Sequence, residues 1–423
     1  MSRRNGRGGA GTGMPHRSAV LVLALGAFAV GTDGYVTTGI LQSIADDLRV
    51  SVSLAGQLVT VFALSYAVSA PVLMTLTANV GRRVMLHGSL GVFLFANVLG
   101  ALAPGYPTLL TARVLAGASA AVYMNTAVAA ATAMTDERHR GRAVAFVVGG
   151  LSLATALGVP LGTLVGALGS WRVTLGLIAA LAALGIAALA LTLPATPSPP
   201  PVTMSARLRV AAEPAVLLAV LANTCAVAGG FTVYTYLAVF ARDVTGLSAA
   251  GVSGVLFAWG VAAAAGTAVG GRMSDRRGPD RAYLTGVLGV VAAFTALALT
   301  ALLTRFAEGP ATVAFLLATV AWGVLYWIVP GAQIQRVMDR APAAPTIAVS
   351  VSSASSYLGV ALGGGLGGAT LSLASSPFLP LTGAALLVAA AVLTARQMKE
   401  PVVSCAGGHR HGVAPPPSDR PSR

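Results

Sequence analysis

The sequence predicts an all-α integral membrane protein in which twelve transmembrane helices form two pseudo-symmetric six-helix bundles. Three observations support this fold class. The 423-residue chain is 56% apolar, has a mean hydropathy of +0.79 and is only 9% charged, whereas a soluble domain carries about 25% charged residues. Apolar runs of about 20 residues, the length that crosses a bilayer, recur along the chain. A proline-rich segment divides these runs into two groups of six.

The predicted spans follow each other with short polar or Pro/Gly breaks. The first six are placed at 18–42, 52–76, 84–104, 107–133, 143–168 and 173–193, and the second six at 215–240, 248–273, 282–304, 311–334, 345–373 and 377–396. The segment 194–214 is rich in proline and cannot span lipid, so we predict an extended cytoplasmic linker between bundles at 18–193 and 215–396. The ends, 1–17 and 397–423, are predicted cytoplasmic tails, the second disordered.

The positions of the basic residues predict the orientation. A net charge of +14 would suggest nucleic acid in a soluble protein. Here 22 of the 27 basic residues fall in segments that this topology places inside, and four, Arg49, Arg172, Arg242 and Arg305, fall outside. Because cytoplasmic loops retain Lys and Arg, we expect both termini in the cytoplasm and a lipid bilayer, not nucleic acid, as the partner.

Short motifs lie at equivalent places in the two halves. The pattern Gly-x-x-x-Asp-Arg-x-Gly follows the eighth span at Gly271, Asp275, Arg276 and Gly278, and its counterpart after the second span has Ala78 and Asn79 at the acid and arginine positions. The fourth span carries Arg113-x-x-x-Gly117, and the fifth carries Gly158-Val-Pro160-Leu-Gly162. With the opening Gly31-Thr32-Asp33-Gly34-Tyr35, these motifs resemble the major facilitator superfamily, specifically its twelve-helix drug/proton antiporters of the arabinose-efflux, chloramphenicol-resistance and purine-efflux branch.

The resemblance implies a function. It implies a monomeric exporter in a bacterial cytoplasmic membrane that moves small amphipathic molecules by alternating access, with the proton gradient as energy source and no cofactor. Antibiotics or drugs are the first expected substrates, and purine bases or nucleosides are the alternative. No nucleophile triad, phosphate loop or metal-ligand spacing is visible, so neither an enzyme nor a metal site is expected. A transporter-like membrane sensor is the alternative from another class, but the 17- and 27-residue tails are expected to be too short for a signalling domain.

Asp33 and Arg113 are the only acid and base predicted in the middle of a span. Charged groups in hydrocarbon are costly and usually face a cavity or a partner. At a rise of ~1.5 Å per residue, they lie ~14 and ~9 Å below the outer ends of their helices, which permits a pair. Burial favours the neutral acid and a guanidinium favours the carboxylate, so we predict a proton-coupling site. A structural ion pair and direct substrate binding without proton transfer remain open.

Two further groups of residues are predicted to act in gating and packing. Gly158, Gly162 and Gly166 share one face of the fifth span, where small residues allow close helix packing and Pro160 can bend the helix. This face either packs ordinarily or seals the two halves against proton leak. In the outward-open state, Asp275 is expected to close the inner side as a latch with Arg336 at the end of the tenth span, and a solvated basic loop is the alternative.

Polar and aromatic residues at mid-helix depth are the candidates for substrate binding. Rings stack on planar ligands and amides fix their orientation. The preferred set is Gln57, Asn125, Tyr234, Tyr236, Trp259, Trp322, Tyr326 and Gln333, with Asn97, Tyr123, Asn223, Trp327 and Tyr357 at similar depth. Each of these is also a possible packing or interface residue. Because most aromatics lie in the second half, we predict proton coupling in the first half and ligand stacking in the second.

Overall fold

The chain folds into long apolar helices. A computed structural model describes residues 15–77, 79–136, 139–192, 203–303 and 308–399, and within these ranges it contains sixteen α-helices and no strand. Twelve candidate membrane spans are long and apolar enough to cross a bilayer, which confirms the predicted fold class. Residues 1–14 and 400–423 of the predicted tails, residues 194–202 of the predicted linker and Ala78 lie outside the described residues.

The first half contains six spans built from seven helices. These are α1 (Pro15–Leu48), α2 (Val52–Leu76), α3 (Arg82–Ala101), α4 (Tyr106–Ala133), α5 (Arg140–Leu153), α6 (Val159–Leu168) and α7 (Trp171–Thr192). A capping residue marks the start of α2, where the Ser51 hydroxyl accepts a hydrogen bond from the Leu54 backbone N–H, as an N-cap residue does. Helices α5 and α6 form one span.

The second half follows the same plan with two broken spans. Its helices are α8 (Met204–Ala212), α9 (Pro214–Tyr234), α10 (Leu237–Thr245), α11 (Ala249–Arg277), α12 (Pro279–Leu303), α13 (Glu308–Tyr326), α14 (Ile328–Arg340), α15 (Pro345–Leu373) and α16 (Leu379–Lys399), with a 3₁₀ turn at Ser376–Phe378. The seventh predicted span, 215–240, is therefore two helices that meet at Thr235 and Tyr236. The tenth is interrupted at Trp327.

The expectation of an extended linker is wrong over its second part. Residues 204–212 form α8, which begins where the Thr203 hydroxyl accepts a hydrogen bond from the Ala206 backbone N–H. The helix docks because Val210 is buried in a small apolar cluster with residues of α9, α14 and α15. Arg207 donates a 2.8 Å hydrogen bond to Ser350 on α15. The proline content of the linker therefore did not reveal this capped segment.

Pro160 sits just after a widened turn of the fifth span. Residues Ala154–Gly158 form a π-helical turn between α5 and α6, in which the Val159 N–H bonds to the carbonyl of Ala154. Proline lacks a backbone donor, and such π-turns are frequently found at functional positions. The distortion predicted from Pro160 is therefore a π-turn in the residues that precede it.

The most extensive contacts between the two halves, among the described residues, run along three lines. The end where α1 begins and α16 ends is called the linker end here, and the opposite end is the distal end. Helix α2 packs on α15, α1 on α10, and the π-turn with α6 on α11. At the third line, a Cβ added to Gly260 of α11 would lie 2.7 Å from the Ala156 Cα. Only glycine allows this backbone approach between the halves.

Candidate functional site

A buried ion pair lies at the centre of the first half. The Asp33 side chain on α1 is 0% exposed and that of Arg113 on α4 is 3% exposed. The Arg113 guanidinium donates to the Asp33 Oδ1 atom at 2.6 Å and to the Asp33 backbone oxygen at 3.2 Å. The pairing predicted from depth alone is therefore present in the structure, and Arg113 is additionally bound to the backbone of α1.

The neighbours of this pair hold it in place and leave polar atoms free. The Arg113 guanidinium lies 4.5 Å from the centre of the Phe62 ring on α2, a cation–π geometry. Three buried polar atoms have no hydrogen-bond partner among the described residues: Asp33 Oδ2, Arg113 Nε and Asn97 Oδ1. Because buried polar groups are normally satisfied, these three atoms mark a site with unused hydrogen-bonding capacity.

An aromatic cluster lies in the second half beside α1. Tyr234 of α9 is 4.5 Å from Trp259 of α11, and Trp259 is 5.5 Å from Trp322 of α13, measured between ring centres. Phe231, Phe294 and Trp327 extend the cluster. The indole N–H groups of Trp259, Trp322 and Trp327 are buried without an acceptor among the described residues. The cluster therefore offers ring faces and three free donors.

Helix α1 connects the ion pair with the aromatic cluster. Two residues along an α-helix correspond to a rotation of about 200°, so Asp33 and Tyr35 point to opposite sides of α1. Asp33 contacts Arg113 of the first half, while the Tyr35 ring lies 6.0 Å from Tyr234 and 6.1 Å from Phe231 of the second half. A shift of α1 that begins at Asp33 would therefore also move Tyr35, and a shift that begins at Tyr35 would move Asp33.

Hydrogen bonds and close contacts join the halves at the distal end. The Ser53 hydroxyl on α2 donates to the Gly368 carbonyl on α15 at 2.8 Å, and Ser372 donates to Ser53 at 2.8 Å. Halfway along the same two helices, Tyr66 and Tyr357 stack with ring centres 3.4 Å apart. The contact between α2 and α15 thus extends from the distal end to the middle of the molecule.

Several predicted substrate residues lie apart from the aromatic cluster. Gln57 lies at the distal contact beside Gly368, and Tyr236 donates to the Gly364 carbonyl at 3.0 Å. Asn125 bonds to the Ala121 carbonyl of its own helix. The structure brings together Tyr234, Trp259 and Trp322 of the preferred set, and Tyr326 adjoins them, packed on Gly230 of α9.

Gln333 belongs to a second buried charged site that the sequence reasoning missed. Arg336 on α14 is 0% exposed and donates to Asp280 of α12 at 2.7 Å, to Gln333 at 3.0 Å and to Gln397 of α16 at 2.8 Å. Asp33 and Arg113 are therefore not the only buried charges. Gln333 also donates to the Ala219 carbonyl, so its amide is engaged in holding Arg336 rather than facing the rings.

The latch between Asp275 and Arg336, predicted for the outward-open state, is not formed in this structure and stays a prediction for that state. Asp275 is exposed at the end of α11, and within the described ranges the carboxylate paired with Arg336 is that of Asp280. Asp280 also accepts from Arg340 at 2.7 Å. The motif residue Gly278 does have a structural role, because its φ of +83° ends α11 in a conformation that favours glycine.

The glycine face of the fifth span packs within its own half. Cβ atoms added at Gly162 and Gly166 would lie 2.6 and 2.8 Å from Val36 and Ile40 of α1, and Gly158 adjoins Thr32 of the same helix. The alternative that this face itself seals the two halves is therefore wrong. The opposite side of the span, at the π-turn, makes the contact with Gly260 of the second half.

Sequence reasoning did not select Tyr35, Phe231, Phe294 and Tyr66 as site residues. Phenylalanine carries no polar signal, and a tyrosine in an apolar span is ordinarily a packing residue. Tyr35 had one available signal, since its position two residues after Asp33 places it on the opposite face of α1. The partners that these rings meet come from distant segments, which periodicity does not reveal.

Twelve apolar spans in two six-helix halves, with a buried ion pair inside the first half and an aromatic cluster in the second half beside α1, are typical of a multi-pass membrane transporter. The chain belongs to the Major Facilitator Superfamily, whose family model matches residues 23–363. It is 32% identical to the uncharacterized MFS-type transporter YbcL of Bacillus subtilis over 88% of this chain and 95% of that protein. It is 33% identical to a chloramphenicol resistance protein of Streptomyces lividans over 91% and 97%.

A solved structure shows the same fold. A bacterial homologue of the human lysosomal transporter Spinster superposes with a TM-score of 0.72 over 91% of this chain and 97% of that one, at 20% sequence identity. Together with bacterial relatives in the family, the twelve apolar spans support a multi-pass protein of a bacterial inner membrane.

Proposed function

We propose that this protein is a proton-coupled antiporter that exports small planar amphipathic molecules, antibiotics among them, from the bacterial cytoplasm. The observation that carries the proposal is the buried Asp33–Arg113 pair, in which Asp33 Oδ2 has no hydrogen-bond partner in the part of the chain that the structure describes. A permanently paired structural carboxylate would be expected to use both oxygens. A carboxylate that must bind and release a proton keeps one of them available.

The arrangement of the two halves supports the transport cycle. The named contacts between α2 and α15 run from Ser53 and Ser372 at the distal end to Tyr66 and Tyr357 in the middle. We take this as the inward-open state, with the linker end facing the cytoplasm. In this state the substrate enters from the linker end, and protonation of Asp33 follows after the distal contact has opened.

Coupling follows from the position of α1. When Asp33 is charged, Arg113 holds α1 against α4 through both the side chain and the backbone oxygen. A proton on Asp33 removes the charge attraction, so α1 can shift and carry Tyr35 away from Tyr234. Substrate stacked in the aromatic cluster is thereby released when the proton binds, so that substrate leaving the cell is exchanged for a proton entering it.

The aromatic cluster favours planar substrates with hydrogen-bond acceptors. Ring faces of Tyr234 and Trp259 can stack on a planar group, and the free indole N–H groups can donate to carbonyl, nitro or ring-nitrogen acceptors. The relative from Streptomyces lividans is named for chloramphenicol resistance, and such a molecule fits these donors. A purine base also fits them, so purine-base or nucleoside export remains the second candidate; a sensor would not need a coupled ion pair.

The test uses inverted membrane vesicles from a pump-deficient bacterium that contain wild-type protein or the Asp33→Asn variant. We expect addition of chloramphenicol to dissipate an imposed pH gradient, detected by a fluorescent pH probe, with wild type but not with the variant. Adenine and a nucleoside are added in parallel to separate the second candidate. An Asp47→Asn variant is the matched control, since Asp47 pairs with Arg172 away from the centre. Full gradient-driven transport by Asp33→Asn would refute the proton site.

A further inference from the structure

The first turn of α3 has backbone donors that no described side chain caps. Helix α3 begins at Arg82, and its N-cap residue is Gly81, which has no side chain to accept a hydrogen bond. The first N–H groups of a helix have no partner within the helix, and the helix dipole places partial positive charge beside them. The connection from α2, residues 77–81, contains no acidic residue. This end of α3 therefore attracts an anion, and the connection itself does not supply one.

Arg82 adds a buried cation to the same turn. The residue is 9% exposed, and its Nε atom has no hydrogen-bond partner in the part of the chain that the structure describes. Within that part, the arginines that form ion pairs are Arg113, Arg172, Arg336 and Arg340. Because Cα–Cβ bonds tilt toward the N-terminus of a helix, the Arg82 side chain leaves α3 in the direction of the uncapped N–H groups. A buried charge without a counter-charge is costly, so Arg82 and the helix start call for the same kind of ligand.

Open space and apolar surface adjoin this turn. A Cβ atom added at Gly81 would meet no atom within 4 Å beyond its chain neighbours, so the N-cap position is accessible. Leu76 at the end of α2 and Val84 in the first turn of α3 are both largely exposed. In a membrane protein such apolar side chains face lipid acyl chains. An anion bound at this turn therefore lies next to apolar surface, which a phospholipid covers and a free phosphate ion does not.

We propose that Arg82 and the uncapped start of α3 bind the phosphate of an anionic phospholipid in the leaflet at the linker end. The N–H groups of the first turn donate to phosphate oxygens, as helix N-termini do in other phosphate sites. The Arg82 guanidinium supplies the counter-charge and a planar set of donors that matches phosphate. Arg83 is bonded to the Ala190 carbonyl, so a second positive charge stays beside the site. These charges favour a headgroup without a cationic amine, such as phosphatidylglycerol.

Titration of the delipidated full-length protein in detergent tests the proposal. Thermal unfolding is followed while phosphatidylglycerol, phosphatidylcholine or inorganic phosphate is added, and the dependence of Tm on concentration gives an apparent affinity. For wild type we expect phosphatidylglycerol to raise Tm more than phosphatidylcholine does, and inorganic phosphate to leave it unchanged. In Arg82→Gln the apparent affinity for phosphatidylglycerol should fall about tenfold or more, because hydrogen bonds to a charged group are lost.

Gly81→Asp is a second variant that leaves Arg82 in place. The new carboxylate has room at this position, where φ is −58°, and aspartate is a favoured N-cap residue. This variant should have a higher Tm than wild type without lipid and should lose the additional increase that phosphatidylglycerol causes, because the protein then supplies the anion itself. It decides the question if Arg82→Gln does not fold.

Arg209→Gln is the matched control, since Arg209 is exposed on α8, also at the linker end. This variant removes the same charge and should keep the wild-type affinity for phosphatidylglycerol. The inference is overturned if wild type responds equally to both lipids, if Arg82→Gln or Gly81→Asp keeps the wild-type response, or if Arg209→Gln loses as much as Arg82→Gln. An equal response to inorganic phosphate also overturns it, because the site would then bind free anions and not a lipid.

Discussion

Neutralising the buried pair one side at a time separates its structural from its functional contribution. In Asp33→Asn the Arg113 guanidinium loses its counter-charge while it remains 3% exposed. Removing one partner of a buried ion pair destabilises a protein by about 3–5 kcal/mol. Arg113 keeps its bond to the Asp33 backbone oxygen and its contact with the Phe62 ring, so we expect the lower end of this range for Asp33→Asn.

The reciprocal change is expected to cost more. In Arg113→Gln the Asp33 carboxylate is 0% exposed and loses the guanidinium with which it forms its ion pair. This carboxylate can become neutral by binding a proton, which avoids the free-energy cost of a buried unpaired charge. The stability of this variant should therefore rise as the pH is lowered, whereas that of Asp33→Asn should not.

The double variant Asp33→Asn/Arg113→Gln completes the cycle. It contains no buried charge at this position, and neutral replacement of a buried pair is often close to neutral for stability. We expect the unfolding midpoint in denaturant, measured in one detergent for all four proteins, to return near the wild-type value. Gradient-driven export should nevertheless stay absent.

This combination distinguishes the two interpretations of the pair. A purely structural pair would regain both stability and export in the double variant. A proton site regains stability alone. Recovery of pH-gradient-driven export at the wild-type rate in the double variant would refute the reasoning from Asp33, and additive losses of stability would refute the coupling between the two side chains.

Three further outcomes follow from the geometry. Gly260→Ala places a Cβ 2.7 Å from the Ala156 backbone, so distances between spin labels on the two halves should show their distal ends moving apart. Gly254→Ala on the same helix meets open space and should leave these distances unchanged. Arg336→Gln should lower the free energy of unfolding by about 3–5 kcal/mol, whereas Asp275→Ala at an exposed position should change it by under about 0.5 kcal/mol. A larger effect of Asp275→Ala would indicate that Asp275 does form the predicted latch. Trp259→Phe keeps a ring and removes a free N–H, so chloramphenicol binding measured calorimetrically should weaken about tenfold without loss of thermal stability; unchanged affinity would exclude this donor.

Local chemistry was sufficient to predict the number and approximate position of the spans. The length of each apolar run matches the thickness of the bilayer, and segments this apolar are stable in lipid rather than in water. The Asp33–Arg113 pair was predictable for the same reason, since two opposite charges in apolar spans have few other ways to be satisfied. The breaks at Thr235–Tyr236 and at Trp327, and helix α8, were not predicted, because capping and packing outweigh hydropathy there.

The charged loop motif shows where such reasoning fails. Asp275 and Asp280 are five residues apart, and both were within reach of Arg336 by sequence. The choice depends on whether the carboxylate near the end of α11 or the one at the start of α12 faces the buried side of α14, and this is decided by the packing of helices distant in the chain. A motif specifies the residues of a loop and does not specify the partner across the bundle.

The sequence by itself determined the class of this protein: a chain this apolar, with its charges grouped between spans and one acid and one base left inside, must be a membrane bundle. The tertiary structure alone decided which glycine faces meet α1, which carboxylate holds Arg336, and which rings gather around Tyr35. Membrane insertion depends on the sum of side-chain transfer energies along a segment, whereas these contacts depend on the relative rotation of helices, which is set by all their neighbours together.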